Sequence, residues 1–577
     1  MRDAAGTTHA KQARMAVEAV QGLPRRMGSI LRGMFARDGV ERHENKVNVI
    51  DKVWSDTDLV PLDAPASALH QAADACAREC FRICETVKTI DAILLAVGVI
   101  CRRQQIPLPQ GRTAGEITRR ALDRGWWLRS IRKAHARRFE HVAIQLGFVS
   151  YKTGVYVSDE TVQRQRRRNK ENAKLLASIE VENELGQTYS LEKLAALGTS
   201  NPAIRRGELM NRIRGFEEIA TDLRHVGVFS TITAPSKYHA VLSKSGEENP
   251  RYIAFGSPTP RDAQAYLCEV LARFRSSLHR KGIRPYGFRI AEPHHDGCPH
   301  WHMLVFLPAN QVEAYQAELR AYALAVDGEE PGAQENRVKL VNIEAGKGTA
   351  AGYIAKYVAK NIDGEGVGQH KTAEGWDVTT DLLGNEEITP SQRVVYWAQV
   401  WGIRQFQQIG GAPIGVWREL RRIKEETVRH APEAIKEAWK AVQKTEGSRT
   451  SFASYLRQQG GPAVGRAGLI QLAKRTITVE GKYATYQDEK PCGVYHAWNI
   501  GAVYESVRHV WKRLEKTEAV AVAVPWTRVN NCTRQWQAEL KKRTEKGMES
   551  LKGHSIATEN LIQKWQNRHN EEFSYGH

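Results

Sequence analysis

The 577-residue chain contains no apolar run approaching the ~20 residues a membrane-spanning helix needs, so the sequence excludes a helical membrane protein. Its first residues, Met-Arg-Asp-Ala-Ala-Gly, lack the apolar core of a secretory signal, and the expected location is cytoplasmic, in its own cell or in that of a host. Cysteine is sparse: the 8 thiols are scattered, which fits a reducing compartment. Cys76, Cys80 and Cys84 line one face of a helical pattern, and no second cysteine pair follows to complete a zinc site, so they read as helix core. No Gly-x4-Gly-Lys-Ser/Thr phosphate loop occurs, and with it no nucleotide cofactor or visible ATPase engine. Acidic residues are outnumbered, 65 Asp and Glu against 84 Lys and Arg, for a net charge of +19. An excess of that size calls for a polyanionic partner, most simply nucleic acid.

Within this basic chain one stretch carries metal chemistry: Glu292-Pro-His-His-Asp-Gly-Cys-Pro-His300-Trp301-His302-Met-Leu-Val-Phe306. Apolar runs on both sides of Asp296-Gly297 read as a β-hairpin. Alternation along a strand puts His300 and His302 on one face and Trp301 on the other. Glu292 returns beside them across the hairpin, giving two imidazoles and a carboxylate with open positions for a substrate oxygen. Carboxylate and phosphate oxygens suit Mg²⁺ or Mn²⁺. His294, His295 and Asp296 are weaker ligand candidates, or groups that orient the ligands.

A second stretch, Gly348-Thr-Ala-Ala-Gly-Tyr353-Ile-Ala-Lys356-Tyr357-Val-Ala-Lys360-Asn361, reads as a helix. Tyr353 and Tyr357 share a face, as do Lys356 and Lys360. Such a pair is usually a packing feature, and it becomes a nucleophile candidate only beside the metal stretch.

Together the two stretches resemble the HUH endonuclease superfamily, most closely the replication gene A protein family of phages, which are rolling-circle initiators with paired tyrosines. A third segment agrees: Val228-Phe-Ser-Thr231-Ile-Thr233 stands where the family carries an apolar strand ending in Thr-hydrophobe-Thr. The acidic residue eight positions before the first motif histidine, as Glu292 is, resembles the third metal ligand of related initiators. The resemblance covers about residues 226–362. It implies that Tyr353 and Tyr357 are nucleophiles assisted by Lys356, that Thr231, Thr233 and Lys360 contact DNA, and that cleavage leaves a 5′-phosphotyrosyl bond and a free 3′-OH. It also implies single-stranded origin DNA as substrate, with a host helicase and DNA polymerase as partners.

The expected class is α+β: a nuclease core with a ferredoxin-like antiparallel sheet, flanked by mostly helical regions. The pattern from 226 to 361 reads β-α-β-β-α-β. Residues 1–45 read as a basic flexible tail, 46–200 as a helical basic region, 201–362 as the endonuclease domain, and 363–425 as a linker with an aromatic, basic extension. Residues 426–577 read as helical and basic, with a β-like patch near Ile477 to Tyr486. Segment 234–259 is long enough to be a DNA-contacting loop. Trp126 and Trp127 among arginines, and Trp401 with Arg404 in the extension, fit base stacking with charge or a tryptophan core with arginines on its rim. The sequence leaves both open.

Two further readings share part of the pattern. A plasmid relaxase or transposase of the same superfamily has the same chemistry, and a ferredoxin-like binding module has none. A histidine-triad hydrolase needs a third histidine where Leu304 stands.

Overall fold

The computed structural model describes residues 20, 22–56, 58–343, 350–362, 389–444 and 449–514. The side chains of residues 54, 350, 351, 353, 356 and 360 are not among those described. The chain forms two compact units, one of residues 1–139, 480–485 and 514–577, the other of 140–479 and 486–513.

The described N-terminal part of the first unit, up to residue 139, is mostly helical. Helix α1 (Arg25–Asp38) lies in the segment expected to be an irregular tail. Met27, Leu31 and Phe35, one turn apart, are buried, while Arg25, Arg32 and Arg37 stay in water. The arginines masked an apolar stripe that is enough to seat a helix. Helices α2 (Glu44–Ser55), α3 (Ala66–Thr86), α4 (Ile90–Arg103) and α5 (Ala114–Ala121) follow. Cys76 and Cys80 are free and buried in this unit's core together with Cys101, and Cys84 packs half-buried against it, as expected of helix-core thiols. Trp127, at the start of α6 (Arg124–Gln145), is fully buried in the same core, with its indole N–H donating to the Ala121 carbonyl at 2.6 Å. For Trp127 the core reading holds.

In the second unit, Ser158 caps α7 (Asp159–Ser178) by accepting from the Thr161 amide. This helix stops at Ser178, before a short antiparallel pair, β1 (Glu180–Glu182) and β2 (Thr188–Ser190). After α8 (Pro202–Asp222) comes the central sheet. Its elements are β3 (Val226–Thr233), α9 (Pro260–Arg280), β4 (Tyr286–Pro293), β5 (Pro299–Leu307), α10 (Val312–Ala323), β6 (Val338–Ile343) and α11 (Ala350–Ile362). The strand order is β6-β3-β5-β4-β7, antiparallel throughout. The first four strands and their helices follow the expected β-α-β-β-α-β order. The edge strand β7 (Phe406–Ile409) was not foreseen; its four residues lie between α12 (Pro390–Trp401) and α13 (Ile414–Leu420) and are too short to show alternation.

Every residue of β4 is buried, because helices cover both sheet faces. Tyr286, Phe288, Ile290, Leu304 and Phe306 point into one core with residues of α8 and α11. Trp301 points the other way, its N–H donating to Gln264 of α9 at 3.0 Å. A capping box between Thr259 and Asp262, with Pro260 at the first helical position, starts α9. Segment 234–259 is braced rather than open: the Asn249 amide donates to the carbonyls of Ser236 and His239, each at 2.8 Å. Lys237 in it pairs with Asp327 at 3.0 Å.

The C-terminal region departs most from expectation. Short helices, among them α14 (Glu433–Val442) and α15 (Phe452–Gln458), come first, but β8 (Ile470–Glu480), β9 (Thr485–His496) and β10 (Asn499–Glu505) form an antiparallel sheet. The Thr476-Ile-Thr-Val479 run carries that preference, and basic residues around it hid its length. Residues 363–388 of the expected linker, and residues 1–19 and 515–577, lie outside the described residues. Among the described residues no helix is long and apolar enough to cross a membrane.

Candidate metal and nucleophile site

The site is built on the hairpin of β4 and β5. Register places Glu292 opposite His300, with Thr233 opposite His300 and Thr231 opposite His302 on the other neighbour, β3. Gly297, at φ +84°, makes the turn, and the Asp296 carboxylate accepts the Cys298 amide at 3.0 Å. Trp397 of α12 donates its indole N–H to the Gly297 carbonyl at 2.7 Å, which pins the turn from outside.

The Nε2 atoms of His300 and His302 lie 3.0 Å apart, and Glu292 Oε2 is 3.8 Å from His302 Nε2. All three groups offer ligand atoms within 4.8 Å of one another. Glu292 and His302 are buried and His300 is half-buried. His302 Nδ1 is 3.0 Å from the Thr231 hydroxyl. With Nδ1–H donating to that oxygen, Nε2 keeps its lone pair for a cation. Two imidazole nitrogens converging beside a buried carboxylate fit one divalent ion.

Asn361, fully buried, is the residue that sequence reasoning missed. Its amide donates to Glu292 Oε1 and to the Tyr357 carbonyl, and its own oxygen accepts from Gln405 at 3.1 Å. The available signal was position: Asn361 is one helical turn beyond Tyr357 and two beyond Tyr353, on the same face. Ile354, Val358 and Ile362 anchor α11 in the core beneath. The Tyr357 ring lies 4.3 Å from the His302 ring and 5.6 Å from Phe229. Tyr353, Lys356 and Lys360 are on the same helix, with side chains outside those described. Asn361→Ala is therefore expected to weaken Mn²⁺ binding by about 10–100-fold, as loss of a group orienting a ligand does. Calorimetric titration with Mn²⁺ checks this; unchanged affinity would make Asn361 a packing residue only.

The other expected site residues divide. The Thr231 hydroxyl is engaged with His302, and the Thr233 hydroxyl donates to the Asn336 carbonyl at 3.4 Å. Arg404 is exposed. Trp401 is 1% exposed, buried with Trp397 and Trp417, and leaves no ring face for a base. Trp397 and Trp401, one turn apart on α12, point to the core together, so this part of the extension is core with arginines on its rim. Trp401→Ala is expected to cost about 3–5 kcal/mol of stability. Denaturant unfolding reads that; wild-type stability with lost DNA affinity would restore the stacking role.

His294 packs its ring 4.1 Å from His300. Burial, then the neighbouring His239, holds it down to about 3, so it stays neutral. Asp296 bonds His239 Nδ1 at 3.0 Å rather than facing the metal set, and the His295 ring lies 6.0 Å from Tyr156. His239, from the braced segment, was not foreseen here.

Comparison with known proteins adds to this geometry. The bacteriophage replication gene A protein (GPA) family matches residues 84–365, a span holding the three candidate ligands and all of α11. The replication gene A protein of Escherichia phage 186 is 40% identical over 431 residues, 72% of this chain and 59% of that protein. This chain belongs to the replication gene A protein family. A probable replication protein, P12, of Pseudoalteromonas phage PM2 is 36% identical over 420 residues, 72% of this chain and 61% of that one. A probable replication endonuclease from a prophage-like region of Salmonella paratyphi A is 33% identical over 448 residues, 75% of this chain and 54% of that one. The chain thus spans between about half and three-fifths of the length of these relatives. No solved structure matches it significantly. The family match ends before Trp401, Arg404 and Gln405, so the roles of those residues rest on this structure.

Proposed function

We propose that this member of the gene A family is a replication initiator of the HUH endonuclease type. It nicks single-stranded origin DNA by tyrosine transesterification and later reseals it. The observation that carries the reading is the Tyr357 ring against His302 of the Glu292, His300, His302 set. A phage or prophage relative named a probable replication endonuclease supports the reaction class.

Glu292, His300 and His302 would hold a divalent cation, Mg²⁺ or Mn²⁺, which when bound polarises a phosphate oxygen and offsets the charge that develops in the displacement. The chain's own groups do the rest. A tyrosine hydroxyl has an ordinary pKa of ~10 and must lose its proton to attack. Lys356, on the same helix, favours the phenolate. The phenolate oxygen bonds to phosphorus as the bond to the 3′ oxygen breaks, and the 3′ oxygen leaves as a hydroxyl. The DNA 5′ end stays on tyrosine, and the free 3′-OH primes a host polymerase behind a host helicase. Because one phosphodiester replaces another, the 3′-OH can reverse the step without ATP. Phe229 and the sheet hold Tyr357 in place, and Asn361 ties its helix to the Glu292 carboxylate.

The test is incubation with a single-stranded library and Mn²⁺ or Mg²⁺, followed by mapping of covalent protein–DNA adducts. An adduct on Tyr353 or Tyr357 supports the reading, and binding without any cleavage reduces the protein to a nucleic-acid-binding module. Affinity for single strands is expected to fall with salt at a slope of about 0.7 per neutralised phosphate. A flat salt response would detach the +19 charge from DNA binding.

A further inference from the structure

A cleft of about 450 Å³ opens on the same sheet face as the metal set. It lies between α8, β4, β7 and α13, with Phe288 of β4 on its wall. Phe288 and Glu292 share a face of β4, four residues apart, which is roughly 13 Å at about 3.3 Å per residue. Four guanidiniums line the cleft, from Arg205, Arg212, Arg404 and Arg418, against one carboxylate among its lining residues, Glu208. Glu208 is committed: it takes a bidentate pair from Arg418 at 2.6 and 3.1 Å, with Arg212 at 3.4 Å. Arg205 lies over the Phe406 ring at 5.3 Å, and Arg404 donates to the Phe406 carbonyl at 3.2 Å. Three more positive charges than negative therefore face one cleft of ligand-sized volume.

The cost of this arrangement is visible. Burial, with Arg418 and Arg404 nearby and Glu208 opposing, lowers Arg212 to about 10. Charges crowded this way are stabilised by an anion. Guanidinium forks match phosphate geometry, and a guanidinium lying on a phenylalanine presents its outer plane to a base. The cleft is also joined to the metal set through the backbone. Gln405 holds Asn361, which holds Glu292, while its neighbours Arg404 and Phe406 line the cleft.

We infer that this cleft is a nucleoside-phosphate subsite that takes one unpaired nucleotide of the DNA strand a few nucleotides from the bond being cut, with Arg205 and Arg404 on its phosphate and base. The inference rests on the proposed reading of the metal set. The same chemistry would also suit a free mononucleotide, and the experiment separates the two sources.

Binding is measured in EDTA, without cleavage, by fluorescence anisotropy of a fluorescein-labelled oligothymidylate, with thymidine 5′-monophosphate as competitor. The Arg205→Gln, Arg404→Gln pair is expected to weaken strand binding about tenfold and to lower the salt slope by about 0.7 for each phosphate no longer neutralised. Arg205→Lys with Arg404→Lys restores the slope more than the affinity, since charge is kept and the stacking plane is removed. Both side chains are on exposed residues, and a thermal melt that matches wild type shows that the fold is intact. Strand affinity and slope equal to wild type would overturn the inference. So would a loss confined to mononucleotide binding, which would make the cleft an effector site. Adduct formation in Mn²⁺ is scored separately on wild type. Adducts without a binding effect sink the cleft alone, and a binding effect without adducts sinks the nuclease reading while leaving a strand-binding cleft.

Discussion

His300→Ala combined with His302→Ala is expected to lower single-strand cleavage by about a thousandfold or more in Mg²⁺. Two of three candidate ligands are removed, and a site worth about 4 kcal/mol to the displacement corresponds to a factor of about 10³. Single variants should fall on the same path with smaller losses. Glu292→Gln should weaken the ion while keeping the Asn361 hydrogen bond, since the amide oxygen still accepts. The imidazole of His302 is buried against Phe229 and Tyr357, so its removal also loosens packing. Oligonucleotide affinity in EDTA separates the two effects: it should stay close to wild type while cleavage collapses. Wild-type cleavage by the double variant would show that these residues do not hold the metal.

Replacing both tyrosines, Tyr353→Phe with Tyr357→Phe, is expected to abolish the covalent adduct altogether. Phenylalanine at 357 keeps the ring that packs on His302, and at both positions it removes only the hydroxyl proposed as nucleophile. The single variants should each still form an adduct, at unequal rates, because two positions one turn apart reach one phosphate with a small shift of helix or strand. Closed single-stranded circles over several rounds should need both. On the proposed mechanism one tyrosine would hold DNA while the other attacks the regenerated origin. Peptide mapping of the trapped adduct decides the matter. DNA on only one tyrosine, with circles still made by the other variant, would make the second a packing residue.

The metal set was legible because it is local. His300 and His302 are two residues apart on a strand, and Glu292 is joined to them by one tight turn, so alternation and hairpin register together brought them within 4.8 Å. The β-α-β-β-α-β order was legible for the same reason, since each element carries its own periodicity. Trp401 and Asn361 were not. Whether an aromatic among arginines stacks on a base or fills a core depends on what lies over it, and α12 turned Trp397 and Trp401 inward. Asn361 looked like the end of a helix; its role exists because Glu292 and Gln405 arrive from other parts of the chain. The C-terminal sheet was legible only as the β-like patch near Ile477 to Tyr486, because basic residues on exposed strands blur the alternation that marks a strand.

From its own residues the chain determined the candidate ligand triad, the tyrosine pair, the basic charge and the order of the central elements, all of which depend on near neighbours or on composition. Tertiary structure alone decided that Thr231 meets His302, that Asn361 bridges the tyrosine helix and the Glu292 carboxylate, that Trp401 is core, and that four arginines face one cleft. Each of those depends on contacts between segments far apart in the chain, whose pairing is set by the packing of α8, α11 and β7 on one sheet rather than by any local period.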